Sequence, residues 1–118
     1  MKRVHKKVKV LVVGVGRLGK RFCESFANDK NLLEIVGVTG FNPNSRYAEE
    51  LSIYDIPYYE KMEDAIQKLG SKVDVILDTS VDHSLQKIAE GVLEKTHNHH
   101  TVTTSIEDYL NSSTEMAH

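Results

Sequence analysis

Cysteines, long apolar runs and an excess of charge of one sign are all scarce in this chain of 118 residues. The single cysteine, Cys23, cannot form an internal disulfide, so the sequence carries no sign of an oxidising compartment. No apolar run reaches the roughly 18 residues that a membrane span needs, and residues 1–7 lack the apolar centre of a secretion signal. We therefore expect a soluble, cytoplasmic protein with no membrane partner.

The charge balance also narrows the partners. The formal net charge is -2, whereas proteins that bind nucleic acid or acidic membranes usually carry a clear basic excess. Residues 1–7 are basic, and we interpret them as a solvated lead-in to the first strand. The sequence therefore predicts no nucleic-acid partner.

One dense group of histidines, His97, His99 and His100, raises the question of a metal site. Histidine is a common metal ligand, but no cysteine or aspartate lies close by in sequence, and two of the three histidines are adjacent. We interpret the group as a surface loop and predict no metal.

Apolar patterning predicts five strands, each followed by a helix or helical turn, in one domain of residues 1–118 with a frayed tail at 111–118. The predicted strands are residues 8–13, 34–39, 56–59, 73–77 and 101–104. The predicted helices run from the glycines after the first strand to about Asn28, from near Ser45 through Leu51 to Ile53, over 62–69, over 83–94, and as a last turn over 106–110. This alternation predicts an α/β fold: a Rossmann-type, doubly wound parallel sheet of order 3-2-1-4-5 in three αβα layers.

A glycine-rich loop lies between the first strand and its helix, with the sequence Gly14-Val15-Gly16-Arg17-Leu18-Gly19. Gly-x-Gly-x-x-Gly in this context is the dinucleotide-binding fingerprint. Gly14 permits the turn, Gly16 lets the backbone approach a pyrophosphate, and Gly19 lets the helix pack on the sheet. Arg17 and Leu18 lie in the first helical turn, where free N–H groups bind phosphate. The alternative is a tight turn that binds no ligand.

The end of the second strand bears on the choice of cofactor. NAD-binding sites usually place an acid about 20 residues beyond the glycine loop, at the end of the second strand, but here residues 38–42 contain no acid and the next one is Glu49. We therefore predict NADP in preference to NAD, with contacts from Thr39, Gly40, Phe41, Asn42 and Arg46. Alternatively, Arg46 is a solvated helix residue paired with a glutamate, and Phe41 caps the core instead of packing on adenine.

Several stretches together resemble two related families: the N-terminal domains of the glucose-fructose oxidoreductase and inositol dehydrogenase superfamily, and of dihydrodipicolinate reductase-like amino-acid dehydrogenases. The resemblance covers about residues 8–109. The stretches that carry it are 13–19, Val-Gly-Val-Gly-Arg-Leu-Gly; 35–51, with an Asn-Pro turn and Tyr-Ala-Glu-Glu-Leu; 56–59, Ile-Pro-Tyr-Tyr; 63–66, Glu-Asp-Ala-Ile; and 73–78, Val-Asp-Val-Ile-Leu-Asp.

The resemblance also implies roles for residues at the ends of the fourth and fifth strands. Asp78, Thr79 and Ser80 would lie along the nicotinamide ribose, and Thr104 near the nicotinamide ring; alternatively, Thr79 and Ser80 merely cap the next helix. The first family has a Glu-Lys-Pro motif after strand five, and residues 103–107, Thr-Thr-Ser-Ile-Glu, lack its lysine. The match is therefore better to the reductase-like branch, and we assign no catalytic residue.

The function expected from fingerprint and resemblance is the NAD(P)-binding domain of an oxidoreductase. The domain would hold the cofactor for hydride transfer to a small carbonyl or imine, bound by a domain absent from this chain. The alternative is a non-catalytic nucleotide-sensing module or a CoA- or nucleotide-binding module. An uncovered sheet edge predicts a homo-oligomer such as a dimer, or completion by a substrate-binding domain.

Overall fold

The computed structural model describes residues 8–14, 16–27, 33–40, 46–80 and 84–109. Strands and helices alternate along the chain, with 3-10 turns at Ser52–Tyr54 and Gly70–Lys72 and a helical turn over 106–109. The elements are β1 (Val8–Val13), α1 (Arg17–Ala27), β2 (Leu33–Thr39), α2 (Arg46–Leu51), β3 (Tyr58–Tyr59), α3 (Met62–Leu69), β4 (Val75–Asp78), α4 (Ser84–Lys95) and β5 (Val102–Ser105).

The five strands form one parallel sheet of order β3-β2-β1-β4-β5, which confirms the predicted Rossmann-type fold. All strands point the same way, so their carboxyl ends meet at one edge of the sheet. There Val13 of the central strand lies in register with Thr39 of β2 and Asp78 of β4. The order reverses at β1, and ligands bind at such a switch point in open α/β sheets.

β1 is the centre of two cores, one on each face of the sheet. Val10 and Val12 pack with the side chains of α1 and α2, while Leu11 and Val13 pack with those of α3 and α4. All four side chains are completely buried, and each contributes about 1.5–3 kcal/mol to stability. The nearly continuous apolar sequence of this strand follows from burial on both faces.

Element ends differ from the predictions by one or two residues. β3 is limited to two residues because Pro57 has no N–H to donate, although its carbonyl accepts the Val38 N–H at 2.9 Å. The sequence predicts that the second helix reaches Ile53, but α2 ends at Leu51, a 3-10 turn changes the helical period, and Ile53 is 76% exposed.

Several expectations fall on parts of the chain that this structure leaves undescribed. These are the basic lead-in of residues 1–7, Phe41, Asn42, the side chain of Arg46 and the tail of residues 111–118. Among the described segments, no helix is both long and apolar enough to cross a membrane.

Candidate functional site

Gly14 is required where β1 turns into the glycine loop. Its φ is +77°, a conformation that side chains disfavour. A Cβ built there would also lie 2.9 Å from Leu85 Cδ1 and 3.3 Å from the Ser80 nitrogen. Backbone conformation and close packing therefore both demand glycine here.

Gly16 differs from Gly14 because the space beside it is open. A Cβ at this position would meet no atom within 4 Å. The Gly16 carbonyl accepts the Lys20 N–H at 2.9 Å, so this glycine accepts the first hydrogen bond of the α1 helix. Gly19 is buried. This arrangement leaves the backbone at Gly16 open to a ligand, and the residues fit the diphosphate of a dinucleotide cofactor.

The loop after β4 forms the opposite wall and is bonded to the glycine loop. Thr79 is 4% exposed, and its hydroxyl oxygen lies 2.9 Å from the Val13 carbonyl oxygen and 3.0 Å from that of Gly14. The Thr79 N–H also donates to Val13 at 3.0 Å. Thr79 therefore fixes the glycine loop through its backbone.

Asp78, at the end of β4, organises the start of α4. Its completely buried carboxylate accepts the N–H groups of Ser80 at 2.8 Å and Gln86 at 2.9 Å, and the Ser80 hydroxyl. Sequence reasoning considered Thr79 and Ser80 as caps of this helix, but among the described residues the bond to the helix N–H comes from Asp78. An acid at a strand end, shortly before a helix start, is the signal that identifies it.

A cleft of about 320 Å³ lies between these two walls. It brings together six of the predicted binding residues and adds Arg21, which sequence reasoning missed. Arg21 follows Arg17 by four residues and so shares its helix face, which was the available signal. The lining residues are Gly14, Gly16, Arg17, Leu18, Arg21, Thr79 and Ser80.

Of the other predicted residues that the structure describes, Thr39, Gly40 and Thr104 do not line this cleft. Thr39 is at the end of β2 and only 2% exposed, and Gly40 follows it. Thr104 lies on the far side of β4, where it is half-buried, and its hydroxyl donates to the Ser105 carbonyl at 3.3 Å. The structure thus does not bring Thr104 or the end of β2 into contact with the glycine loop cleft.

The histidine group lies at the opposite edge of the sheet, in the loop that enters β5. It borders a separate cavity of about 450 Å³ together with α3 residues. His100 Nε2 is 2.7 Å from Asp74 Oδ1. Within the described ranges, no three or more His, Cys, Asp or Glu side chains are placed to hold a metal ion.

Comparison with known proteins gives one family match and several similar folds. The profile of the CoA binding domain family matches residues 5–99. The WlbA dehydrogenase of Bordetella pertussis, solved with NADH and UDP-GlcNAcA, is 15% identical with a TM-score of 0.62. The scyllo-inositol dehydrogenase of Lactobacillus casei, solved with NAD(H) and scyllo-inositol, is 22% identical with a TM-score of 0.57. The lactate dehydrogenase of Eimeria maxima, solved with NADH and oxamate, is 17% identical with a TM-score of 0.56.

These structural matches cover most of this chain but a minor part of each enzyme. They include 85%, 85% and 89% of the chain, against 28%, 28% and 37% of the three dehydrogenases in the same order. The search of curated proteins gave no match. The matches confirm the Rossmann-type fold, which this chain shares with one part of each of these longer dehydrogenases.

Proposed function

The chain belongs to the family of CoA binding domains, and from this premise we propose that it binds a nicotinamide dinucleotide as the cofactor module of an oxidoreductase. The observation that carries the proposal is the cleft at the glycine loop. Gly16 leaves room for a diphosphate, the first turn of α1, whose N–H groups have no partner within the helix, lines that space, and Arg17 adds a positive charge. When bound, the dinucleotide would supply or accept a hydride.

The nicotinamide assignment is supported by the solved neighbours, three of which contain NADH or NAD(H) on the same fold. Because this chain matches 28–37% of their length, substrate binding and catalysis belong to a further domain in the proposed enzyme. That domain would present a small carbonyl or imine to the nicotinamide ring, near Thr79, Ser80 and Thr104.

We further propose that NADP is preferred to NAD. β2 ends in Thr39-Gly40 without the acid that usually binds the ribose hydroxyls, so nothing there repels a 2′-phosphate. Thr39 is almost completely buried, so we assign the ribose contacts to the Gly40 backbone, Phe41, Asn42 and Arg46. Arg46, the first residue of α2, would bind the 2′-phosphate.

We also propose that the protein is cytoplasmic and that it forms a homo-oligomer or is completed by a substrate-binding domain. The association is suggested by the edge strand β5, where Val102 is 57% exposed. Pairing along such an edge would satisfy its free backbone groups and cover that side chain.

Coenzyme A is the second candidate ligand, and the family match favours it. Coenzyme A and the nicotinamide dinucleotides share an adenosine diphosphate, so the glycine loop would bind either by the same contacts. They differ beyond the diphosphate, where CoA carries a pantetheine arm instead of the nicotinamide ribose. A direct comparison of ligands therefore separates the two candidates.

The test is calorimetric titration of the chain with NADPH, NADH and coenzyme A. We expect NADPH to bind most tightly, and Arg46→Ala to weaken NADPH without changing NADH. Gly16→Ala should weaken every ligand, since its methyl group occupies the open space while touching no protein atom. Gly91→Ala in α4 is the matched control, because its Cβ also meets nothing within 4 Å.

Each result discriminates between the candidates. Tightest binding by coenzyme A would replace the nicotinamide proposal with the CoA alternative. Absence of binding by all three would reject the proposed function altogether. Equal effects of Gly16→Ala and Gly91→Ala would move the ligand away from the glycine loop.

A further inference from the structure

We infer that Arg21 is a second phosphate-binding residue of the cleft, and that with Arg17 it makes the diphosphate the main element by which the ligand is recognised. The inference rests on the proposed function and names the residue that sets its selectivity. No fingerprint position predicts Arg21, since it lies two residues beyond the last glycine of the motif.

Arg17 and Arg21 lie on the same side of α1, beside the cleft. Both side chains line the same cleft as Gly14 and Gly16, and both are exposed. Residues four apart on a helix have Cβ atoms about 5–6 Å apart on one face. Helical side chains also lean toward the N-terminus, so the Arg21 side chain covers the turn that begins at Arg17. Both guanidinium groups can therefore reach the space beside Gly16.

Among the described residues, the acids around α1 pair with Lys20 and not with the two arginines. Lys20, between the two arginines in sequence, forms ion pairs with Glu50 at 2.8 Å and Glu24 at 3.8 Å. Within the described part of the chain, neither Arg17 nor Arg21 has an ion pair. The acids near this helix thus neutralise the one cation of the three that does not line the cleft.

The charges at the start of α1 favour a bound anion. The first turn of α1 contains no acidic residue, although acids usually stabilise that position. Like charges four residues apart repel each other, and here they lie near the positive end of the helix dipole. A bound anion beside Gly16 would offset this repulsion. A diphosphate, which carries more negative charge, would offset it more than a single phosphate.

The consequence is a preference for ligands that contain a diphosphate. The Gly16 backbone and the α1 N–H groups suffice for one phosphate, and the two arginines add contacts for both. ADP, NADH and coenzyme A would share this gain, whereas AMP would lack it. Removing Arg21 should therefore reduce the preference for ADP over AMP, which a merely structural residue would not do.

The experiment compares ADP and AMP affinities, measured by calorimetry, for the wild-type chain, Arg21→Ala, Arg21→Lys and Lys20→Ala. We expect ADP to bind at least about tenfold more tightly than AMP, a ratio that Arg21→Ala reduces several-fold and Arg21→Lys partly restores. Lys20→Ala removes a charge from the same helix and should leave the ratio unchanged. Raising the salt concentration should weaken ADP binding less in Arg21→Ala than in the wild type.

The outcomes separate this inference from the proposed function. If NADH binds the wild-type chain but the ADP to AMP ratio is the same in Arg21→Ala, the inference is wrong and the proposed function stands. If no nucleotide binds, the proposed function fails, and inorganic pyrophosphate tests Arg21 by itself. Pyrophosphate binding that is lost in Arg21→Ala then supports the inference, and its absence from the wild type overturns it.

Discussion

The hydroxyl oxygen of Thr79 lies 3.0 Å from the carbonyl oxygen of Gly14, across the space between two strand ends. These residues are 65 positions apart in the chain, and the contact is buried. It joins the glycine loop to the loop after β4, so the two walls of the cleft keep a fixed separation. A ligand that contacts both walls then meets a site that needs little rearrangement.

Thr79→Val tests this bond with little change of shape. The variant keeps the backbone bond to Val13 but removes the only side-chain donor to the Gly14 carbonyl among the described residues. We expect the free energy of unfolding to fall by about 1–2 kcal/mol and nucleotide affinity to fall with it. Urea denaturation and calorimetry measure the two effects. Thr103→Val is the control, since the Thr103 hydroxyl bonds the exposed Glu90 at 3.0 Å; equal losses in both variants would contradict the role of Thr79.

Cys23 should be unreactive in the folded protein. Its side chain is completely buried between α1 and the sheet, and burial, with a smaller contribution from Glu24, raises the pKa of the thiol to about 12. At pH 8 almost no thiolate is present, and a labelling reagent cannot reach the sulfur. Ellman's reagent should therefore label Cys23 only as fast as the chain unfolds, and at once in denaturing urea. Rapid labelling without denaturant would mean that this core opens locally.

His97 lies two residues beyond the end of α4, in a backbone conformation that suits glycine. Its φ is +55°, its N–H donates to the Glu94 carbonyl at 3.2 Å, and the Asn98 N–H donates to Leu93 at 2.9 Å. This pair of bonds is the Schellman arrangement, in which the left-handed residue is usually glycine. His97→Gly should raise the free energy of unfolding by about 0.5–1 kcal/mol, the relieved strain less the added freedom of the unfolded chain.

The control for that substitution is His99→Gly in the same loop. His99 is not among the described residues with positive φ, so glycine there should give no gain in stability. Thermal or urea denaturation of the two variants beside the wild type measures the difference. Equal effects at the two positions would show that the conformation of His97 costs nothing.

The sheet and its glycine loop could be predicted because their signals are local. Consecutive side chains of β1 point to opposite faces of the sheet, and both faces are buried. Its apolar run therefore already indicates a central strand. The loop residues from Gly14 to Gly19 follow it in sequence, and strand order then follows from the handedness of the crossovers. The ends of β3 and β4 depend on single backbone hydrogen bonds, such as the one that the Pro57 carbonyl accepts. The apolar pattern of the sequence does not reveal such bonds.

The shared helix face of Arg17 and Arg21 is visible in the sequence, but which cations of α1 form ion pairs depends on tertiary packing. Near the start of α1 the sequence shows three cations, Arg17, Lys20 and Arg21, and one acid, Glu24, which leaves the pairing of the cations open. Only the packing of α2 against α1 brings Glu50 to Lys20 and leaves Arg21 in the cleft. Asp78 has a local signal, an acid between a strand end and a helix start, but its bond to the Gln86 N–H forms only when α4 docks.

Asp74 should make stability depend on pH in the acid range. The Lys9 N–H donates to its carboxylate at 2.8 Å and the His100 ring lies 2.7 Å away, and these contacts hold the pKa of Asp74 below its usual value of 3.8 despite partial desolvation. A carboxyl whose pKa is lower in the folded state stabilises the fold fully above its unfolded pKa. That contribution disappears as pH falls through the folded pKa.

Asp74→Asn isolates this contribution from all the other acids that titrate. We expect the wild type to exceed the variant by about 1 kcal/mol or less at pH 6, since a third of the Asp74 side chain is exposed and solvent weakens the charge interactions. The difference should be constant down to about pH 5 and vanish below the folded pKa of Asp74. His100→Ala should lose a smaller part, because the Lys9 N–H remains. Urea denaturation from pH 2 to 7 measures these differences, and a constant gap between wild type and Asp74→Asn over that range would contradict the linkage.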